Sequence, residues 1–262
     1  MQVGVDEAGR GPVLGSMFVT AVAVPTGDVL REAFPGLDDS KRLSAPRRER
    51  LARELEAHPR VRSETVEVPI ADIDDPVTDM NSLAVRAHAA AIDGILDRIG
   101  AVDPANAATD RDTMATGADS DEEPGAANAA SRLETGHIQD LDRAAATVLC
   151  DACDTDADRF ARRVAEACES GLPIDAAHGA DGHSPVVSAA SVLAKSAREA
   201  HVATLAEEFG AIGSGYPADP ATREFLEEYV TDHADLPPIA RRSWSTCEDL
   251  LDRVSQADLD GF

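Results

Sequence analysis

The residues best placed to do chemistry are carboxylates at the ends of apolar runs. Val3-Gly4-Val5 leads directly into Asp6-Glu7, and the chain then turns through Gly9-Arg10-Gly11-Pro12. Asp151 closes a second apolar run, 144–150, and Asp181 sits in a Gly-Ala-Asp-Gly loop just before a long alanine-rich stretch. Strand ends within one sheet can converge on one edge, where open sheets hold their ligands. Four carboxylates gathered there would repel and raise each other's pKa. A hard divalent cation relieves that repulsion, and oxygen ligands with room for water favour Mg²⁺ or Mn²⁺. Two such ions about 3.5–4 Å apart activate a water and stabilise the leaving oxygen of a phosphodiester. Beside the acids, the glycines of the 9–12 turn remove side-chain bulk, so a substrate can approach the main chain closely. Arg10 is the one long side chain at that spot.

The elements that must carry these residues alternate in type. Residues 1–8 and 14–25 read as strands joined by the glycine turn, and 61–68 alternates as a third strand. Ser44 starts a helix that runs to Ala57. Residues 70–80 read as acidic loop. An amphipathic helix follows over 81–100, with Leu83, Ala87, Ala91, Ile95 and Ile99 at helical spacing. The segment 101–143 is rich in Ala, Asp, Gly and Thr and poor in large apolar residues, which predicts a disordered acidic insertion. Order returns with the strand ending at Asp151, a helix over 156–170 and a short strand from Pro173 and Ile174. Further helices run over 185–209, 220–233 and 245–254. This pattern predicts an α/β fold, a mixed β-sheet flanked by helices with a small C-terminal helical region.

Composition narrows the setting. There are 24 Lys+Arg against 49 Asp+Glu, a formal charge of −25, and Lys41 and Lys195 are the only lysines. An acidic, lysine-poor, alanine-rich chain resembles a protein of a salt-accumulating cytoplasm. At about 1 M salt the Debye length is only about 3 Å, so the negative charge does not exclude a nucleic-acid partner. Cys150 and Cys153 form a lone C-x-x-C with no second pair, which reads as reduced structural thiols rather than zinc. No secretory signal or membrane-length apolar run stands out, so a soluble cytoplasmic protein is expected.

Several motifs together carry a family resemblance. They are Asp6-Glu7-Ala8-Gly9-Arg10-Gly11-Pro12, Asp39-Ser40-Lys41, Asp151-Ala152-Cys153-Asp154, Ala180-Asp181, the run from Ser184 to Lys195, and the run from Gly213 to Pro220. In that order they resemble type 2 ribonuclease H (ribonuclease HII) of the archaeal branch. The resemblance implies a ribonuclease H-like fold and cleavage of RNA in RNA–DNA hybrids, including single ribonucleotides in duplex DNA. It implies 5′-phosphate and 3′-hydroxyl products and two Mg²⁺ or Mn²⁺ ions held by Asp6, Glu7, Asp151 and Asp181. Gly9, Arg10 and Gly11 match the segment that senses the ribose 2′-hydroxyl, mainly through backbone groups, and Tyr216 matches the tyrosine that packs against the adjoining sugar. Both surviving lysines, Lys41 and Lys195, fall inside matched motifs and are expected to contact phosphate.

The tail Gln256-x-x-Leu259-x-x-Phe262 resembles the peptide with which replication proteins bind the sliding clamp, PCNA. The expected organisation is a catalytic domain over 1–209, a substrate-binding helical region over 210–255 and this tail, working as a monomer. Two rivals remain open at this stage: a metal-dependent hybrid-binding module that does not cut, and a phosphatase acting on small substrates.

Overall fold

The computed structural model describes residues 1–37, 43–100 and 146–260, with side chains to residue 253. Lys41, the whole of the 101–143 segment with its expected disorder, the side chains of Gln256 and Leu259, and Phe262 lie outside the described residues. Five strands form one sheet in the order β3-β2-β1-β4-β5: β1 Gln2–Ala8, β2 Met17–Val24, β3 Arg62–Val68, β4 Thr147–Asp151 and β5 Ile174–Ala177. β1 pairs antiparallel with β2 and parallel with β4, so the sheet is mixed, as its sequence pattern predicts. Among the described helices are α1 Asp28–Ala33, α2 Ala45–Ala57, α3 Ile70–Ile73, α4 Met80–Gly100, α5 Ala157–Ala167, α6 Pro185–Phe209, α7 Pro220–His233 and α8 Ser245–Asp260. None is long and apolar enough to cross a membrane.

The two faces of the sheet are covered differently. Alternation along β1 sends Val3 and Val5 to one face, where they join Ala87, Ile92 and Ile95 of α4 and Phe160 and Val164 of α5. The opposite face belongs to α6, whose buried stretch from Pro185 to Ala194 sets the small residues Ser188, Ala189, Ala190, Ser191 and Ala194 among Val186, Val187, Val192 and Leu193. Gly4 shows how close that helix lies. A Cβ there would stand 2.4 Å from the Val186 carbonyl carbon and 2.5 Å from Val187 N, so no other residue fits without moving α6. A third apolar cluster joins α7 and α8 to Val13 and Leu14, the residues just past the glycine turn.

Some boundaries differ from the sequence pattern. The apolar run 14–25 forms a strand only from Met17, because Val13 and Leu14 are bonded to the C-terminal region. The stretch 70–80 opens with one helical turn, α3, before it becomes loop. α5 ends at Ala167 because Cys168 is extended. The last helix continues beyond 254, and its backbone carries Gln256 and Leu259 in α8.

Candidate active site

Three of the carboxylates meet. β1 and β4 run parallel with Val5 opposite Cys150, so Asp6 and Asp151 stand at the same end of neighbouring strands. Asp181 lies in a 3-10 turn, Ala180–Gly182, which follows Gly179 in its left-handed conformation (φ 65°). That turn is tied to β4, since Ala180 N donates to Asp151 Oδ1 at 2.8 Å. Ser188 of α6 donates to the Asp181 carbonyl and fixes the other side. One ligand oxygen from each of Asp6, Asp151 and Asp181 lies within 4.8 Å of the others.

The cluster's electrostatics fit a cation. Burial, helped by the charge of Asp151, raises Asp6 well above the ordinary carboxylate range, against a Ser191 hydrogen bond and the charge of Lys195. Lys195 Nζ donates to Ser191 Oγ at 2.5 Å and stands 4.0 Å from Asp181 Oδ2. An ammonium only donates, so the Ser191 proton is left for Asp6. One part-exposed lysine beside three acids leaves net negative charge. A purely oxygen donor set of this kind suits Mg²⁺ or Mn²⁺.

The glycine turn borders the same space. A groove of about 410 Å³ is lined by Glu7, Gly9, Arg10, Gly11, Arg48, Lys195, Arg198 and Tyr216, among others. Gly9 has φ 90°, and a Cβ there would meet Ser16 O at 2.9 Å. Tyr216 is 41 % exposed, and its ring lies 4.7 Å beneath the Arg198 guanidinium. Glu7, the glycine turn, Lys195 and an exposed aromatic therefore share one groove, which adjoins the three-acid cluster through Lys195.

Comparison with known proteins bears on that arrangement. The description of the ribonuclease HII family matches residues 3–247. The chain belongs to the ribonuclease HII family. It is 46 % identical to ribonuclease HII of the halophilic archaeon Natronomonas pharaonis, over 99 % of this chain and 98 % of that one. The crystal structure of ribonuclease H2 from Pyrococcus horikoshii is similar with a TM-score of 0.73 and 28 % identity, over 97 % of this chain and 99 % of that one. The ribonuclease HII in a PCNA complex from Archaeoglobus fulgidus is similar with a TM-score of 0.69 and 30 % identity, over 95 % and 96 %. This chain is accordingly an endoribonuclease with a ribonuclease H-like fold.

In this ribonuclease HII, Glu7 stands apart from the other three acids. Alternation along β1 turns it to the α4 side, away from Ser191 and Lys195. There its Oε2 faces Nε2 of His88 at 3.5 Å. His88 is fully buried, lies edge-on to Phe160 with ring centroids 5.1 Å apart, and holds Ala84 O with Nδ1 at 2.9 Å. A carbonyl only accepts, so Nδ1 carries the proton and Nε2 presents a lone pair to Glu7. Burial raises Glu7 to about 8, with the charges of Asp6 and Asp151 adding to it, and burial lowers His88 to about 4. Both shifts run against an ion pair, because burial pushes the carboxyl toward its protonated form and the ring toward its neutral one.

Other expected site residues fall at distinct places. The Arg10 side chain turns toward α4, donating to Asn81 Oδ1 and to the Cys153 carbonyl. Arg241 is fully buried and bonds the turn. Burial pushes the Cys153 thiol up to about 12, consistent with an unreactive thiol at the C-x-x-C. Sequence reasoning passed over His88, Ser191 and Asn81. For His88 a signal existed: a histidine on the apolar stripe of α4, four residues from Ala84 and Ile92. Ser191 and Asn81 look like ordinary helix residues until α6 and α4 are placed.

Proposed function

We propose that this ribonuclease HII hydrolyses the RNA strand of RNA–DNA hybrids and cuts at ribonucleotides embedded in duplex DNA, leaving 5′-phosphate and 3′-hydroxyl ends. The observation that supports the reading is the adjacency of the Asp6–Asp151–Asp181 cluster to the groove along the Gly9–Gly11 turn, joined by Lys195, which lines the groove and stands 4.0 Å from Asp181 Oδ2. Asp6, Asp151 and Asp181, joined by Glu7, would hold two Mg²⁺ or Mn²⁺ ions. Those ions supply an activated water and charge stabilisation at the leaving oxygen. Asp6, near the end of the central strand and between Asp151 on β4 and Ser191 on α6, would be the acid placed to face both ions.

The remaining residues bind and orient. Glycine N–H groups of the turn meet the ribose 2′-hydroxyl, the atom that separates RNA from DNA. Tyr216 packs on the adjoining sugar, while Lys195, with Lys41 from outside the described residues, contacts phosphate. Residues 1–209 act as the catalytic domain and 210–255 as the substrate-binding region. The tail carrying Gln256, Leu259 and Phe262 docks on the sliding clamp, a reading supported by the Archaeoglobus fulgidus relative seen in complex with PCNA. Deleting 256–262 should abolish clamp binding and leave hydrolysis intact; unchanged clamp binding refutes that part.

The deciding experiment is cleavage of a labelled DNA duplex carrying one ribonucleotide, at high KCl with Mg²⁺ or Mn²⁺, by the native chain and by Asp6→Asn. A metal-dependent cut on the 5′ side of the ribonucleotide, lost in the variant, supports the reading. Cleavage of long hybrids alone removes the assignment of the turn and Tyr216. Failure on both, by folded metal-loaded protein, leaves a binding module.

A further inference from the structure

The glycine turn is not shaped by the sheet that precedes it. Its main chain is bonded almost wholly to the C-terminal third of the chain. Val13 N and Leu14 N donate to Gly215 O at 2.8 and 3.2 Å, Gly15 N donates to Ile239 O at 2.9 Å, and Arg241 N donates to Val13 O at 2.8 Å. The Arg241 side chain completes the set. Nε donates to Gly15 O at 2.8 Å, Nη1 to Arg10 O at 3.0 Å and Nη2 to Gly9 O at 2.6 Å. Trp244 lies against the guanidinium at 4.9 Å. Among the described residues no carboxylate lies within ion-pair distance of Arg241, so its buried charge is held mainly by the three carbonyls, with a smaller favourable contribution from the charge of Asp74. Burying a charge in this way is costly, and burial lowers its pKa to about 10.

Peptide planarity converts that anchoring into a function. In a trans peptide the carbonyl of one residue and the N–H of the next point in opposite directions. Drawing Gly9 O and Arg10 O toward Arg241 therefore turns the N–H groups of Arg10 and Gly11 the other way. Neither N–H donates to a protein acceptor among the described residues, and both residues line the groove.

We infer that Arg241 is a specificity-determining positioning residue, which presents the Arg10 and Gly11 N–H groups to the substrate hydroxyl by holding the carbonyls behind them. The inference rests on the reading of the turn given under the proposed function. A forked guanidinium is required, because a lysine ammonium on a single stem cannot reach three carbonyls in that geometry. Arg241 touches no substrate and acts only through the turn.

The test compares binding, without divalent metal so that nothing is cut, of a duplex with one ribonucleotide and of the same duplex in all-DNA form. Native protein, Arg241→Lys and Arg241→Gln are measured at high KCl, with thermal unfolding of each. Native protein should prefer the ribonucleotide duplex, and both variants should lose about tenfold of that preference, the worth of two misaligned neutral hydrogen bonds. Their affinity for all-DNA duplex should be unchanged. Equal weakening on both duplexes, or an unchanged preference, overturns the inference, since a merely structural residue would do the one or the other. A native chain that shows no preference and cuts neither substrate when metal is added overturns the proposed function instead. Should neither variant fold, the native protein decides. The amide resonances of Arg10 and Gly11 should move on adding the ribonucleotide duplex and stay in place with all-DNA duplex; the same response to both refutes the role.

Discussion

Replacing Asp6 with asparagine should stabilise the metal-free protein, and should do so only at high pH. Asp6 is 4 % exposed, and burial above all raises its pKa from 3.8 to about 7. Keeping it ionised at pH 9 costs about 4 kcal/mol, at about 1.4 kcal/mol for each unit of pH. Asparagine has nearly the same shape, and its Oδ1 can still accept the Glu7 N–H that reaches Asp6 at 2.7 Å. The weaker bond from Ser191 returns about 1 kcal/mol, leaving a gain of about 2–3 kcal/mol. For a chain of this size that is roughly 5–10 °C in Tm. The sign follows from proton binding. A raised folded pKa means that the native state holds its proton more tightly than the unfolded chain. The associated stability is full below about pH 4 and is lost as pH rises through about 7. At pH 5 only about 1.6 kcal/mol of that cost is present, because the unfolded carboxyl ionises from about 3.8, and the weaker Ser191 bond offsets most of it, so the advantage of asparagine should nearly vanish. Thermal unfolding in EDTA at about 1 M KCl, where surface charge is screened within about 3 Å, reads this directly. An equal gain at pH 5 and pH 9, or a loss at pH 9, would refute the assignment of Asp6 as a buried, repelled carboxylate.

Gly4→Ala should destabilise the fold by about 3 kcal/mol, because the new Cβ meets backbone of α6 and cannot rotate away; a Tm within about 2 °C of the native value would disprove the close approach. Binding of Mn²⁺ must expel protons from Asp6 and Glu7, so affinity should climb with pH up to about 8. Calorimetry in buffers of different ionisation heat tests this, and an absence of proton release counts against the acidic cluster as the metal site. Tyr216→Ala should weaken binding of a single-ribonucleotide duplex by about tenfold and Tyr216→Phe by less than about twofold, since stacking carries the contact; equal losses would point to the hydroxyl instead. Plotted against salt on logarithmic axes, duplex affinity should fall with a slope of roughly −2 to −3, as expected for the few phosphates that the groove's cations can reach. A much steeper slope would place the substrate on a wider basic surface.

The sheet was legible because β1, β2 and β4 contain short apolar runs ended by Asp, Gly or Pro and β3 alternates. The parallel pairing of β1 with β4 then brings Asp6 beside Asp151 without further information. What one-dimensional reading could not supply was the face. Asp6 and Glu7 are adjacent in sequence and look alike, yet strand alternation sends one toward Ser191 and Lys195 and the other toward His88. Arg10 and Arg241 show the same gap. Both are arginines in or near site motifs, but Arg10 is drawn to Asn81 on α4, and Arg241 is buried behind the turn. Such assignments depend on contacts across 71 and 232 residues of chain, which no local pattern encodes.

The acidity of the chain and its nucleic-acid chemistry are compatible because the groove's cations are fixed in place before any substrate arrives. Arg48 is held by Glu199 and by the Leu43 carbonyl at 2.9 Å. Arg198 is held by the Ser214 carbonyl and the face of Tyr216. Lys195 is held by Ser191. A cation that is already ordered loses little side-chain entropy on meeting phosphate, and the contact is short enough to survive where the Debye length is about 3 Å. Long-range steering from a basic surface would be screened away in such salt and would add nothing. With a formal charge of −25, the remaining surface is free to be acidic, while recognition is left to hydrogen-bond donors at contact distance: the groove's guanidiniums, the lysine ammonium, and the peptide N–H groups that Arg241 aims from behind.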